Sequence, residues 1–438
     1  MLTLTRCAAL AALSTPLLAQ NLAEGYAGTL SDLPDATSAP LVLDAGGHRL
    51  AYFTGTRLVL REGAQTRDLL VFSGAVFAAF TIRVAADTLL FGDSSSGDLW
   101  LVPLAPQGTP RKLANVPFPY DADLFSGRHV LVSAKTGGFS APDNDVLAID
   151  LVTGAKDLIA RLPGASGPLA VTGDRSLVYA TAANSFPPPP GSSEVLAFGA
   201  GQVAGAFGPG VLTRNDAHVV QAGLDSAGDL AFDGDGDLLW IDWRNRKVLE
   251  LSDALGPNPR VHALATYLGA APDAATLQFL PAAPSAPQSF EPFQPAGGGT
   301  LVVFESAFQG TSRLRRVEAA RPTLTVQPSH QVPVGPFALT LAGGPAGGTG
   351  ILALGVGLTG GTEVPLPLPG FEQRLFWDPG LLSPLATLVV PLSAGGTLTL
   401  GAHNPGLPFA LQVRAQVGVV DASARVLGSS NPLAFTLR

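Results

Sequence analysis

Sulfur is nearly absent from this chain. Of 438 residues, one is cysteine, Cys7, and one is methionine. With its lone thiol near the N-terminus, the body of the protein has no disulfide framework, no cysteine nucleophile and no thiolate-bound metal. Charge is scarce too. Asp, Glu, Lys and Arg make up 14% of the residues, the formal net charge is −8, and no run of like charge exceeds a few positions. That leaves no basic field for nucleic acid or an anionic membrane surface, so neither is expected as a partner. Helical periodicity is missing: segments with apolar residues at i, i+3, i+4 and i+7 are lacking. No apolar run is long enough to span a bilayer.

What is present is apolar and turn-rich. Hydrophobic residues make up 46%, and Gly 51 and Pro 38 come with many Val, Leu and Phe residues. Abundant turn formers among strand formers point to an all-β protein rather than a disordered one. The length exceeds one ordinary domain. Met1–Gln20 reads as a secretory signal: Arg6 supplies the positive end, Cys7–Ala19 a short apolar core, and Leu17-Leu18-Ala19 a small-residue exit. Ser14, Thr15 and Pro16 interrupt that core, which argues against a membrane anchor. A secreted, periplasmic or cell-surface bacterial protein is expected.

One phrase organises the chain. Gly228–Asp253 reads as strand, Asp-Gly turn, strand, polar turn, strand, with Gly234 and Gly236 able to take the positive φ of a hairpin. The rhythm recurs at Ala45–Gly63, Ala85–Leu104, Ser126–Leu151, Thr172–Ala200 and Ala296–Ala319. Between copies fall outer strands at Asp68–Phe72, Arg111–Val116, Lys156–Leu162 and Arg260–Leu264. Starts about 40–50 residues apart suit four-stranded blades. The expected fold of residues 21–321 is therefore a six-bladed β-propeller. Phe186–Asn215 and Ala270–Gln294 read as inserted loops. The sixth unit has no outer strand of its own after Arg313–Val317, and Leu22–Leu30 is predicted to supply it and close the ring. From residue 322 to 438 the strands are shorter and closer, from Leu324–Gln327 to Leu433–Leu437, which predicts a separate C-terminal β-sandwich.

Two resemblances follow from particular residues. Leu230–Asp242, LAFDGDGDLLWID, resembles the repeat of NHL-type and gluconolactonase-like six-bladed propellers, whereas the other five copies share the rhythm and not the letters. The tail from Gln373 to Arg438 resembles a C-terminal domain of secreted proteins from planctomycete-like bacteria. It does so through its aromatic-Asp-Pro turn, its Asn-Pro-Gly-Leu opening and its closing Ser-Asn-Pro-Leu strand. The first implies a propeller, the second a secreted protein with no activity to carry over.

Candidate chemistry is sparse. Asp233, Asp235 and Asp237 alternate like calcium-loop ligands, but the twelfth position is Arg244 rather than a bidentate carboxylate, which favours a plain hairpin turn. Asp121 and Asp123, with Asn215, Asp216 and His218, stand at the starts of segments read as inner strands, where propeller residues meet at the axial mouth. Gluconolactonase-like enzymes place metal ligands there, so the resemblance implies a divalent cation such as calcium as a candidate cofactor; the alternative is solvated strand-start turns. Asp273 and Glu291 are further candidates for that mouth. Ser140 and Ser166 lack the surroundings of a nucleophile elbow, and the six histidines form no HxH or HxxxH pair. The expected function is non-catalytic binding of a cell-surface or extracellular polymer or protein. The alternatives are a metal-dependent hydrolase or lactonase at the axial mouth, and a structural matrix component.

Overall fold

The computed structural model describes residues 20–438 apart from 23–25, 45–46, 186, 234–235, 253, 256–258, 269–272, 282–298, 307–310, 320–321, 329–330, 346, 357–363, 367–374, 378–380, 382–383, 421–425 and 431–432. Residues 1–19 of the expected signal segment and Glu291 thus lie outside the described residues. So does Asp235.

Six antiparallel sheets follow one another along the chain. The first runs Ser38–Val42, Arg49–Phe53, Arg57–Glu62, Gln65–Val71, and each later sheet repeats that order of strands. In every case the recurring phrase supplies the second and third strands. The innermost strands are Ser38–Val42, Ala78–Ala85, Pro119–Leu124, Leu169–Val171, Leu230–Phe232 and Asp273–Pro281. Each packs beside the next, and the last packs beside the first, so the sheets form the ring of a β-propeller.

Apolar contacts between neighbouring sheets explain the sequence pattern. In Leu238–Asp242, Leu238 and Trp240 pack toward the fourth sheet, and Leu239 and Ile241 toward the sixth. Side chains alternate across a strand, so a strand with both faces covered reads as an unbroken apolar run. A separate core of this kind fills each of the six junctions, including the one between the sixth and first sheets, where Leu33, Leu280 and Phe304 meet Leu50 and Tyr52.

The ring is shut by the N-terminal segment. Tyr26–Leu33 pairs antiparallel with Ser312–Ala319 as the outermost strand of the sixth sheet, and Gln20–Leu22 adds a fifth strand to the fifth sheet beside Arg260–Tyr267. The predicted closing strand is present but displaced toward the C-terminus, at Tyr26–Leu33 where the sequence suggested Leu22–Leu30.

Two segments read as loops are partly regular. The Phe186–Asn215 insertion contains a helix, Ala200–Ala206, whose Val203 and Ala206 are buried in the core between the third and fourth sheets. At seven residues, with two glycines, it is too short to carry a helical period. In the Ala270–Gln294 stretch, Asp273–Pro281 is the innermost strand of the sixth sheet.

From Thr323 onward the chain forms a two-stranded sheet, Val364–Leu366 with Leu375–Trp377, and two larger ones. Thr323–Gln327, Gly335–Ala342 and Leu398–Asn404 make one. Thr349–Val356, Leu411–Val420 and Leu433–Leu437 lie in the other, edged by Ala386–Pro391 and Gln331–Val332. Leu339 and Leu341 of the first share a core with Leu352, Val417 and Phe435 of the second. Sequence reading missed the short strands Gln331–Val332, Val364–Leu366 and Val426–Ser429. No helix among the described residues is long and apolar enough to cross a membrane.

Candidate functional site

All six innermost strands line one axial cavity of about 1200 Å³. An innermost strand is a sheet edge, so its outward N–H groups need acceptors. Acidic side chains of neighbouring sheets supply them. Ala122 and Leu124 pack against the second sheet, so the alternate residues Asp121 and Asp123 face the fourth. Asp121 accepts N–H bonds from Leu169 and from Ala122, both at 2.8 Å. Asp123 accepts from Val171 and Leu124, both at 2.7 Å. Asp229, just before Leu230–Phe232, repeats the device at the next-but-one junction. It accepts from Leu277 of the sixth sheet at 2.6 Å and from Leu230 at 2.9 Å. Gln278 ties the sixth sheet to the first by exchanging 2.8 Å bonds with both the N–H and the carbonyl of Val42.

These carboxyls lie deep in the molecule yet are only half-buried, because the cavity reaches them. Desolvation raises Asp123 to about 6 and Asp229 to about 7, against the lowering effect of the backbone N–H bonds. Desolvation also raises Asp121, and the negative charge of Asp229 adds to it. Tyr120 spans toward the fifth sheet and donates its hydroxyl to the Gly228 carbonyl at 2.7 Å. Although the side chain is 39% exposed along the channel, desolvation there raises that phenol above its ordinary range.

Aromatic side chains stand around the mouth. Phe77 precedes the second innermost strand and is 80% exposed; Phe139 is equally exposed, in the loop after His129–Ala134. Pro119 pairs with Ala134, so that loop rises at the same end as Phe118. The Phe118 and Phe139 rings lie 4.2 Å apart between centroids. Phe118 has φ of 48°, a left-handed conformation that costs a bulky residue about 1–3 kcal/mol and is most often retained at functional sites. Lys135 is also in the wall, its ammonium donating to the Gly164 carbonyl at 2.6 Å and to Asn184 at 2.5 Å; desolvation lowers its pKa.

Of the five residues expected at the mouth, the fold brings two there. Asp121 and Asp123 line the cavity; Asn215, Asp216 and His218 do not. Asn215 and Asp216 form a short 3₁₀ turn, Arg214–Asp216, and His218 begins the outermost strand of the fourth sheet. The expectation that the five converge is corrected. The helix Ala200–Ala206 separates the third and fourth strands of that sheet, so the strand after it completes the sheet instead of starting the next. The Asp216 carboxylate accepts from the N–H and hydroxyl of Thr213, both at 2.8 Å, which keeps its pKa low. Asp273 is paired with Arg246 at 2.5 Å and does not line the cavity. Sequence reading missed Asp229. The available signal was an Asp in or just before an innermost strand, as Asp121 is in Pro119–Leu124, with its backbone partner one repeat later.

Ligand atoms that bind one divalent ion at 2.3–2.6 Å must sit within about 5 Å of one another. Among the described residues, Asp233, Asp237 and Glu250 achieve this, within 4.8 Å, and none of them lines the axial cavity. Glu250 comes from the adjacent strand Lys247–Ser252, in place of the twelfth-position ligand that the loop lacks. Asp233 also accepts the Asp237 N–H at 2.9 Å, as a hairpin turn requires. Asp121, Asp123 and Asp229 do not form such a group of three.

No family model and no curated protein matches the chain. Among solved structures, it is similar to the calcium-binding protein regucalcin from Agrobacterium tumefaciens, with 10% identity over 66% of this chain and 93% of that one, at a TM-score of 0.45. A gluconolactonase from Xanthomonas campestris is 15% identical over 66% of this chain and 90% of its own, at 0.44. The PQQ domain of pyranose dehydrogenase from Coprinopsis cinerea is 9% identical over 68% and 97%, at 0.46. At these identities and scores the likenesses carry no argument about activity.

Proposed function

We propose that this is a secreted, non-catalytic binding protein whose ligand seat is the mouth of the axial channel, with the C-terminal two-sheet unit as its extracellular appendage. The carrying observation is the division of labour in the channel. Asp121, Asp123 and Asp229 each give both carboxylate oxygens to backbone N–H groups of the ring, while Phe77 and Phe139 stand exposed at the rim. Groups so committed are built to hold a shape, and the aromatic rim offers apolar contact at little cost in side-chain entropy. A thermal-shift screen of small polar and amphipathic compounds tests this. Hits should lose their effect in Phe139→Ala, whose exposed site spares the fold. Hits indifferent to that change, or no hits at all, would sink the reading.

The rival is a hydrolase or lactonase. One observation favours it: Asp123 and Asp229, raised to about 6 and about 7, are poised for proton transfer near neutral pH. Metal-dependent turnover of a lactone or ester, abolished in Asp229→Asn folded as wild type, would establish that alternative.

A further inference from the structure

We infer that the axial channel seats an organic cation, an ammonium group on an apolar body, held between the Asp121, Asp123 and Asp229 carboxylates below and the Phe118, Phe139 and Tyr120 rings above. This rests on the channel-binding reading and names its ligand class. Three carboxylates from two sheets face the channel, Asp121 and Asp123 within Pro119–Leu124 and Asp229 just before Leu230–Phe232. Their three carboxylates do not form a cluster within 4.8 Å of one another, as Asp233, Asp237 and Glu250 do elsewhere among the described residues. Such a set of acids suits a larger ion that is touched on several sides and not chelated.

The wall matches that shape. An ammonium is attracted to the face of an aromatic ring, and the gain grows when water is excluded. Tyr120 is tied toward the fifth sheet by its bond to the Gly228 carbonyl, and Phe118 and Phe139, which line the same cavity, form a paired platform. Two basic side chains in the wall are bonded to neutral acceptors. Lys135 is spent on Gly164 and Asn184, and Arg83, toward the far end of Ala78–Ala85, bonds the Leu43 and Ala86 carbonyls. The wall also holds Thr81, a side chain 7% exposed whose hydroxyl has no hydrogen-bond partner among the described residues, a group an occupant or water would satisfy. Burial of the acids disfavours their ionised form, and a cation placed among them restores it.

The test compares probes of equal shape on the intact secreted chain by calorimetric titration: choline, its uncharged carbon isostere dimethylbutanol, gluconate and calcium chloride. Choline should bind about tenfold or more tightly than dimethylbutanol, and Phe139→Ala should weaken choline about threefold, within the usual range for an ammonium on aromatic rings. Equal binding of choline and dimethylbutanol would overturn the inference. So would binding of gluconate or dimethylbutanol without choline; if that binding were lost in Phe139→Ala, the channel-binding reading would stand while the cation fell. Calcium binding that excludes choline overturns it in favour of the metal-dependent alternative. Silence from all four probes removes the cation and, with an empty thermal-shift screen, the binding function as well.

Discussion

Removing Gln20–Leu33 tests how the ring is shut. Tyr26–Leu33 covers the whole length of Ser312–Ala319, from Tyr26 opposite Ala319 to Leu33 opposite Ser312. A ladder of that length makes about eight backbone hydrogen bonds at about 1 kcal/mol net each, but ordering the segment costs about 1–2 kcal/mol per residue, so the bonds alone decide little. The deciding contribution is Leu33. It is 1% exposed and packs with Leu280, Phe304 and Leu50 at the junction of the sixth and first sheets. Losing such a side chain costs about 2–5 kcal/mol, because the surrounding core collapses only partly. The same strand lies beside Arg315, 9% exposed and paired with Glu305 at 2.5 Å, and opening that side lets water reach the pair. A loss of about 3 kcal/mol or more is expected, and at about 2–4 °C per kcal/mol for a large domain the melting temperature should fall by about 6–12 °C. Scanning calorimetry of chains beginning at Gln20 and at Pro34 measures it, with Leu33→Ala as the intermediate case. A frayed terminus would change nothing. If the two chains melt within about 2 °C of each other, closure by this strand is wrong, whatever its pairing.

Two further outcomes follow from the same structure. Asp123 and Asp229 hold protons more tightly folded than unfolded, so the folded state binds more protons and stability should fall as pH rises from about 4 through about 7. Asp150 works the opposite way: N–H bonds from Thr153 and Val152 and the Arg128 guanidinium hold it low, so its contribution is lost as pH drops below the unfolded carboxylate value. Denaturant midpoints should therefore peak on the acid side of neutrality, and Asp229→Asn should flatten the upper limb while costing about 1–3 kcal/mol, since its amide offers one acceptor where two N–H groups need them; a midpoint that rises between pH 5 and 8 would contradict the placement of these acids. Residues 322–438 form two sheets around one core and should fold alone. A fragment of that span lacking a cooperative transition by circular dichroism would show that the unit depends on the propeller.

Much of the ring was legible because the second and third strands of each sheet are buried on both faces. Leu238–Asp242 must be apolar at every core position, and Lys247–Ser252 returns from it across a short turn, so hydrophobicity and turn chemistry point the same way. Strands at the margins read poorly. Leu169–Val171 is three residues long, and Asp273–Pro281 sits next to Pro- and Ala-rich sequence that resembles a loop. His218–Leu224 misled more seriously. Its letters suit either an inner or an outer strand, and only the counting of strands within the fourth sheet decides; a helix in the count shifted the answer by one. That single shift carried Asn215, Asp216 and His218 to the rim and left Asp229 unnoticed. Burial of carboxyls is a property of the closed ring, and no local pattern encodes it.

In the proposed reading the channel acids serve the fold and the ligand seat with the same atoms, and the two roles are compatible. A carboxylate has about four acceptor positions, and each of these three uses two of them, one per oxygen, on backbone N–H groups. The N–H groups lie within their own strand and along the edge of a neighbouring innermost strand, so the unused positions are the ones left for the cavity. A cation arriving there opposes the burial that raises these acids and strengthens the charge on the oxygens that tie the sheets. Occupancy and closure of the ring then favour each other. A neutral occupant has no such leverage, because it leaves Asp121 and Asp229 repelling across the same space. The sign of the ligand's charge is thus the property on which the proposed seat makes the strongest demand.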